Sequence, residues 1–216
     1  MEGLKWIALA LMTFDHIDKY LLSERVRPLF DCGRLAFPLF ALVLAYNLAR
    51  PGALERGAYS RILSRLAITA AVAEIPFTQL GGVAWGWYPL NILATLLIGS
   101  CVLWLMELGG GWRISLALLL FIVGGAFVEF WWPGVALVVS AWWYCRRAST
   151  AALVAWVLST AALYQINGNW WALAAFPLIF YAPHARWNIS RLRWAFYIYY
   201  PLHLSVLWGV KAMMGI

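Results

Sequence analysis

Charge is scarce in this sequence. Of its 216 residues only 9 are Asp or Glu and 16 are Lys or Arg, together 12%, whereas a soluble domain carries about a quarter. Long polar runs, internal repeats and linker-like stretches are missing, so residues 1–216 read as a single domain. Cysteine is equally sparse. Cys32, Cys101 and Cys145 stand far apart with no CxxC pair, which excludes a zinc or disulfide framework and leaves buried apolar thiols. The net charge of +7 would suggest nucleic acid in a soluble protein. In a chain this apolar it marks cytoplasmic loops and anionic lipid headgroups instead, and no nucleic-acid partner is expected.

Apolar side chains take the place of charge. The chain is 64% hydrophobic, with a mean hydropathy of +0.77, 15 Trp and 10 Tyr. Too little surface exists to display that much apolar material to water. The lipid bilayer is the matching solvent, and amphipathic rings favour its boundaries. The expected fold is all-α: a polytopic transmembrane helix bundle of about nine helices, within a range of eight to ten. The candidate spans are Leu4–Leu22, Leu29–Ala49, Ile62–Leu80, Leu90–Leu108, Ile114–Trp131, Pro133–Tyr144, Ala151–Ile166, Trp170–Tyr181 and Trp194–Met214. Pro133–Tyr144 and Trp170–Tyr181 are short and need their flanks, a tilt or half-insertion. Leu4–Leu22 carries Asp15, His16 and Asp18 and has no small-x-small cleavage site, so it reads as a retained first helix.

Loop charge orients the helices. The even-numbered loops hold Arg50, Arg56, Arg61 and Arg65, then Arg113, then Arg146 and Arg147, then Arg186, Arg191 and Arg193. With Lys5 they make 11 of the 16 basic residues. Lys19, Arg25, Arg27 and Lys211 fall on the other side, and Arg34 lies within a span. The positive-inside rule then puts the N-terminus in the cytoplasm and the chain in a bacterial inner membrane as a multi-pass protein.

Ionisable groups inside a span are costly and usually face a cavity or a partner. Asp15 and His16 lie in the first span, Arg34 in the second, Glu74 in the third and His203 in the ninth, while Asn91 opens the fourth. At 1.5 Å per residue, His16 and Glu74 lie about 9 Å below the outer surface, Arg34 roughly 7 Å, and Asn91 shallower on the same side. Polar groups from four helices thus share one level, which predicts a pocket opening outward. Asp15 and His16, adjacent in sequence, diverge by about 100°, so Asp15 is expected to pair with Lys19 or Arg34 rather than with the imidazole. Arg34 also has Asp31 three residues before it as a purely structural partner. Glu129 beside Trp131 and Trp132 reads as interfacial, and His184 as part of a solvated loop. The runs Trp85–Tyr88, Trp131–Trp132 and Trp170–Trp171 read first as interface anchors.

Lys5 and His16 are eleven residues apart, close to three helical turns, so they share a face about 16 Å long. A ligand with an anionic head in the cytoplasm and a reactive tip in the membrane fits that line, and an acyl-coenzyme A is such a ligand. His16 suits a general base for an amine or hydroxyl attacking the thioester. The spacings make no metal motif.

Several stretches resemble the TraX family of membrane acetyltransferases. They are Leu4-Lys5-Trp6-Ile7-Ala8, Leu11-Met12-Thr13-Phe14-Asp15-His16, Gly33-Arg34-Leu35-Ala36-Phe37-Pro38-Leu39-Phe40-Ala41, Ala45-Tyr46-Asn47-Leu48-Ala49-Arg50 and Tyr197-Ile198-Tyr199-Tyr200-Pro201-Leu202-His203-Leu204. The family takes its name from a conjugation protein that N-acetylates a pilin N-terminus. It is similar in design to transmembrane acyltransferases such as the heparan glucosamine acetyltransferase, in which a membrane histidine serves transfer from cytoplasmic acetyl-CoA. The resemblance implies that role for His16 and a supporting one for Arg34, and leaves the acceptor open.

The expectation is therefore an acetyl-CoA-dependent O- or N-acyltransferase acting on a protein N-terminus, a sugar or a small molecule. His16, Asp15 and Arg34 form the catalytic group. Lys5, Arg34 and Arg50 hold the donor, and Glu74, Asn91, Tyr200 and His203 line the pocket. The rival is a proton-coupled transporter using Asp15, His16, Arg34 and Glu74, against which the sequence shows no internal repeat.

Overall fold

The computed structural model describes residues 1–23, 25–184, 192 and 194–215. Arg186, Arg191 and Arg193, counted above among the inner-loop cations, lie outside the described residues. Helices account for every candidate span. They are α1 (Glu2–Leu21), α2 (Arg27–Gly33), α3 (Ala36–Ala49), α4 (Ala58–Gln79), α5 (Ile92–Leu108), α6 (Gly111–Ala126), α7 (Trp131–Arg146), α8 (Thr150–Ala162), α9 (Tyr164–Asn167), a 3-10 turn (Trp171–Ala174), α10 (Ala175–Tyr181) and α11 (Ala195–Met214). Among the described residues there is no strand, only isolated bridges at Trp85–Tyr88 and Leu90–Val128.

Two of the breaks inside the expected spans follow from proline. Pro38 has no N–H to donate to the carbonyl of Arg34, and the second span accordingly parts into α2 and α3 at Arg34-Leu35. Pro177 stands in the same relation to Leu173, inside the 3-10 turn that precedes α10. Side chains cap α5 and α8: Asn91 Oδ1 accepts from Leu93 N–H at the start of α5, and Ser149 Oγ from Ala152 N–H at the start of α8.

Burial ranks the helices from centre to edge. α3 is apolar all round and buries ten of its fourteen residues, Ala36 to Ala49, against α1 and α7. α6 buries only Ala117 and Gly125 and exposes Leu118, Leu119, Ile122 and Val123. The outer faces of α4, α8 and α11 are equally apolar, with Ile68, Val72, Ile75, Val157, Leu158, Leu202 and Val206 exposed.

Two ends of the bundle can be told apart by contacts. α11 runs parallel to α1, since Trp6 meets Phe196, Thr13 meets Tyr199 and His16 meets His203. It also runs parallel to α4: Arg65 lies over Trp194 at 4.3 Å and Lys211 Nζ reaches the Leu80 carbonyl at 3.3 Å. One end holds Lys5, Arg65, Trp194 and the Arg146–Glu107 ion pair at 3.2 Å. The other holds the 83–90 loop, tied to residues 127–129 by Leu90 N–H to Phe127 O at 2.8 Å and Glu129 N–H to Leu90 O at 2.8 Å. Among the described residues, two helical stretches, Arg27–Ala49 and Thr150–Asn167, are by length and composition long and apolar enough to cross a membrane.

Candidate functional site

The polar residues of α1 and α11 meet in a hydrogen-bonded chain. His16 Nδ1 lies 2.7 Å from His203 Nε2, with the two rings nearly parallel at 9°. The other nitrogen of His203, Nδ1, lies 3.1 Å from the Tyr199 carbonyl. A carbonyl only accepts, so His203 Nδ1 carries a proton. In the neutral ring Nε2 is then bare and accepts from His16 Nδ1–H. The protons therefore sit on both Nδ1 atoms, and His16 Nε2 is left with its lone pair. One turn below, Thr13 Oγ1 donates to the Leu9 carbonyl at 2.7 Å, which leaves Tyr199 O–H to donate to Thr13 Oγ1 at 2.8 Å. These contacts fix the rotation of α11 against α1 and with it the direction of the imidazole.

Asp15 turns away from His16, as the helical angle requires, and pairs with Arg34. The guanidinium also donates through Nε to the Phe30 carbonyl at 3.2 Å and lies 4.3 Å over the Phe30 ring. Gly33 makes the approach possible, because a Cβ there would sit 2.3 Å from the Asp15 Cβ. Asp31 instead accepts weakly from Asn169 Nδ2 at 3.4 Å.

Three cavities lie in sequence along the bundle. At the basic end a basin of 310 Å³ is lined by Lys5, Arg50, Arg56, Arg61 and Arg65 together with Asn47 and Tyr197. It shares Lys5, Asn47, Ile62 and Tyr197 with an apolar passage of 140 Å³ that runs on past Met12, Phe40, Leu93 and Tyr200. The passage shares Met12 and Ile92 with a pocket of 50 Å³ around His16. That pocket is lined by Asp15, His16, Lys19, Arg34, Glu129 and Asn167, with apolar walls from Ala36, Phe37 and Phe130. Lys5 stands at the junction of basin and passage, held by Glu2 at 2.9 Å and lying 5.4 Å over the Phe196 ring.

The remaining expected site residues are placed as follows. Tyr200 is buried on the passage wall, its ring 6.3 Å from His16 and 5.5 Å from His203. Arg50 lines the basin. Glu74 and Asn91 bind each other: Glu74 Oε2 accepts from Asn91 Nδ2 at 2.6 Å and from Asn91 N–H at 3.1 Å, while Asn91 Nδ2 also donates to the Ala70 carbonyl at 2.9 Å. They fasten α4 to α5 and are not among the residues lining the His16 pocket. Three residues that do line it, Lys19, Glu129 and Asn167, drew no site reading from the sequence. For Glu129 the signal was present, since it closes the fifth span on the same outer level. Asn167 looked like an ordinary Asn-Gly turn. No cluster of three or more His, Cys, Asp or Glu able to hold a metal occurs among the described residues.

Fold and site together define an all-helical bundle protein with a part-buried imidazole pair and an Asp–Arg pair beside a small pocket, next to which lie an apolar passage and then a basic basin. The chain belongs to the TraX family: the family model described as TraX protein matches residues 1–211. It is similar to two curated relatives, each named Protein TraX, from Escherichia coli (34% identical over 122 residues) and from Escherichia coli strain K12 (33% over 122 residues). In both, the aligned stretch is 56% of this chain and 46% of the relative, so the chain matches about half the length of these relatives. No solved structure matches it significantly.

Proposed function

We propose that this protein is a polytopic membrane acyltransferase that moves an acetyl group from cytoplasmic acetyl-CoA to an amine or hydroxyl at the outer half of the membrane. The observation that carries this reading is that basin, passage and pocket adjoin in that order, each sharing wall residues with the next, with Lys5 between the first two and His16 in the last. A coenzyme A thioester has three parts that match in order. Its phosphates suit the five cations of the basin, its uncharged arm suits the apolar passage, and its thioester arrives at the imidazole. The 50 Å³ pocket holds only a few water-sized groups, in keeping with a short acyl chain.

The bilayer supplies the surroundings that the exposed faces of α4, α6, α8 and α11 call for, since an apolar belt of that extent does not persist in water. Exposed tryptophans flank it, with Trp85, Trp87 and Trp170 at one end and Trp112, Trp143 and Trp194 at the other. The basic end is then cytoplasmic and the membrane is the bacterial inner membrane.

In the transfer, His16 Nε2 takes the proton of the acceptor N–H or O–H as its nitrogen or oxygen bonds to the acyl carbon. Negative charge collects on the carbonyl oxygen, near the Arg34 guanidinium. The C–S bond then breaks, and the departing thiolate takes the proton from the His16 imidazolium. Asp15 keeps Arg34 in place.

Neutralising the basin tests the donor assignment. Arg56→Gln with Arg61→Gln is expected to weaken acetyl-CoA binding at least tenfold, about 1.4 kcal/mol, and to flatten its salt dependence. Titration calorimetry in detergent reads both. An unchanged affinity would remove the basin from the donor site.

A further inference from the structure

Buried polar groups nearly always find partners, so a buried amide with none needs a reason. Asn167 is 7% exposed, and neither its Nδ2 nor its Oδ1 has a hydrogen-bond partner among the described residues. Among the described residues, the other side chains with a buried, unpaired polar atom are Trp6, Asp18, Tyr59, Glu74, Trp142 and Trp156. None of these lines any of the three cavities. Asn167 lines the same pocket as His16, Arg34 and Glu129.

Its backbone is held firmly. Asn167 N–H donates to the Leu163 carbonyl at 2.9 Å and Gly168 N–H to the Tyr164 carbonyl at 2.8 Å. Gly168 turns the chain in the left-handed region at φ 67°. Asn169 then ties the turn down, donating to Asp31 at 3.4 Å and accepting from Trp171 N–H at 3.1 Å. An anchored turn thus brings an unsatisfied amide into the pocket from the side of α9, while the bare imidazole nitrogen comes from α1.

We infer that Asn167 grips the reacting carbonyl of the acyl donor, its Nδ2–H donating to the oxygen that becomes negative as the acceptor attacks. This rests on the acyltransferase reading above. The Arg34 charge is already engaged by Asp15, so a neutral donor with no competing partner is the group free to strengthen its bond as the oxyanion forms. Oδ1 of the same amide remains to accept a hydrogen from the incoming nucleophile. With water as that nucleophile, His16 Nε2 takes its proton, the water oxygen bonds to the acyl carbon and the C–S bond breaks. Acetate and CoA thiol leave, so the protein alone should hydrolyse acetyl-CoA slowly.

The test uses that reaction in lipid nanodiscs, with acetyl-CoA as the probe, for the wild type, Asn167→Leu and Asn167→Asp. Asn167→Asp keeps the size and the oxygen but replaces the donor by a negative oxygen. Both variants are expected to lose about 100- to 1,000-fold in the saturated hydrolysis rate, with acetyl-CoA affinity and unfolding temperature unchanged. Wild-type rates in Asn167→Asp would overturn the inference and leave the acyltransferase reading standing. Affinity and unfolding temperature falling in step with the rate would assign Asn167 a structural role and overturn it as well. A wild type that neither binds nor hydrolyses acetyl-CoA would overturn both.

Discussion

Replacing His16 by alanine is expected to lower acyl transfer by about 100- to 10,000-fold, the range over which a positioned general base acts. Donor affinity should hold, because His16 touches the thioester end and the phosphates rest in the basin. His203→Phe is the sharper companion. Phenylalanine keeps the ring and removes both nitrogens, so the chain from the Tyr199 carbonyl through His203 to His16 is broken. Nothing then holds the proton on His16 Nδ1, and the tautomer with a bare Nε2 loses its preference. The expected result is a fall in kcat with little change in KM. His203→Gln, whose amide oxygen can accept from His16 Nδ1–H, should recover part of the loss. Equal losses in His203→Phe and His203→Gln would show that His203 only fills space.

Arg34→Met has the largest expected effect on stability. It leaves the Asp15 carboxylate, itself 8% exposed, without its partner. Removing one member of a buried ion pair costs about 3–5 kcal/mol, because the remaining charge stays desolvated. Removing both members costs far less, since two apolar side chains of similar volume need no solvation. The double variant Asp15→Leu with Arg34→Met should therefore unfold at a higher denaturant concentration than Arg34→Met alone, though without activity. A single variant that loses less than about 1 kcal/mol would place the pair in the range of solvated surface ion pairs.

Much of this arrangement can be read from the sequence, and what cannot has a geometric cause. Apolar length locates the helical stretches, and Pro38 and Pro177 account for two of the places where a stretch divides, while the division at Leu163 between α8 and α9 has no proline behind it. Depth along the helices brings His16, Arg34, Glu74 and Asn91 to one level. Depth is a single coordinate, however, and says nothing of the direction in which a side chain points. Glu74 and Asn91 lie at that level but face each other across α4 and α5. His16 and His203, 187 positions apart, meet because α1 and α11 pack in parallel. Glu129 and Asn167 look like boundary and turn residues because Glu129 lies in the short link from α6 to α7 and Asn167 closes α9, and only the packing of these segments around α1 and α2 makes them walls of a pocket. The 100° offset between neighbouring helical positions shows that Asp15 turns from His16 and leaves Lys19 or Arg34 as its partner; the structure pairs it with Arg34, and Gly33, which permits that pair, becomes understandable only from the 2.3 Å a Cβ would leave.

The most direct measurement is acetyl-CoA binding and slow acetate release by the purified protein in nanodiscs, beside His16→Ala. Micromolar binding by both proteins, with acetate release confined to the wild type, is the predicted result. A folded wild-type protein that binds no acetyl-CoA would contradict the donor assignment and turn the Asp15, His16 and Arg34 cluster into the candidate path of a transporter.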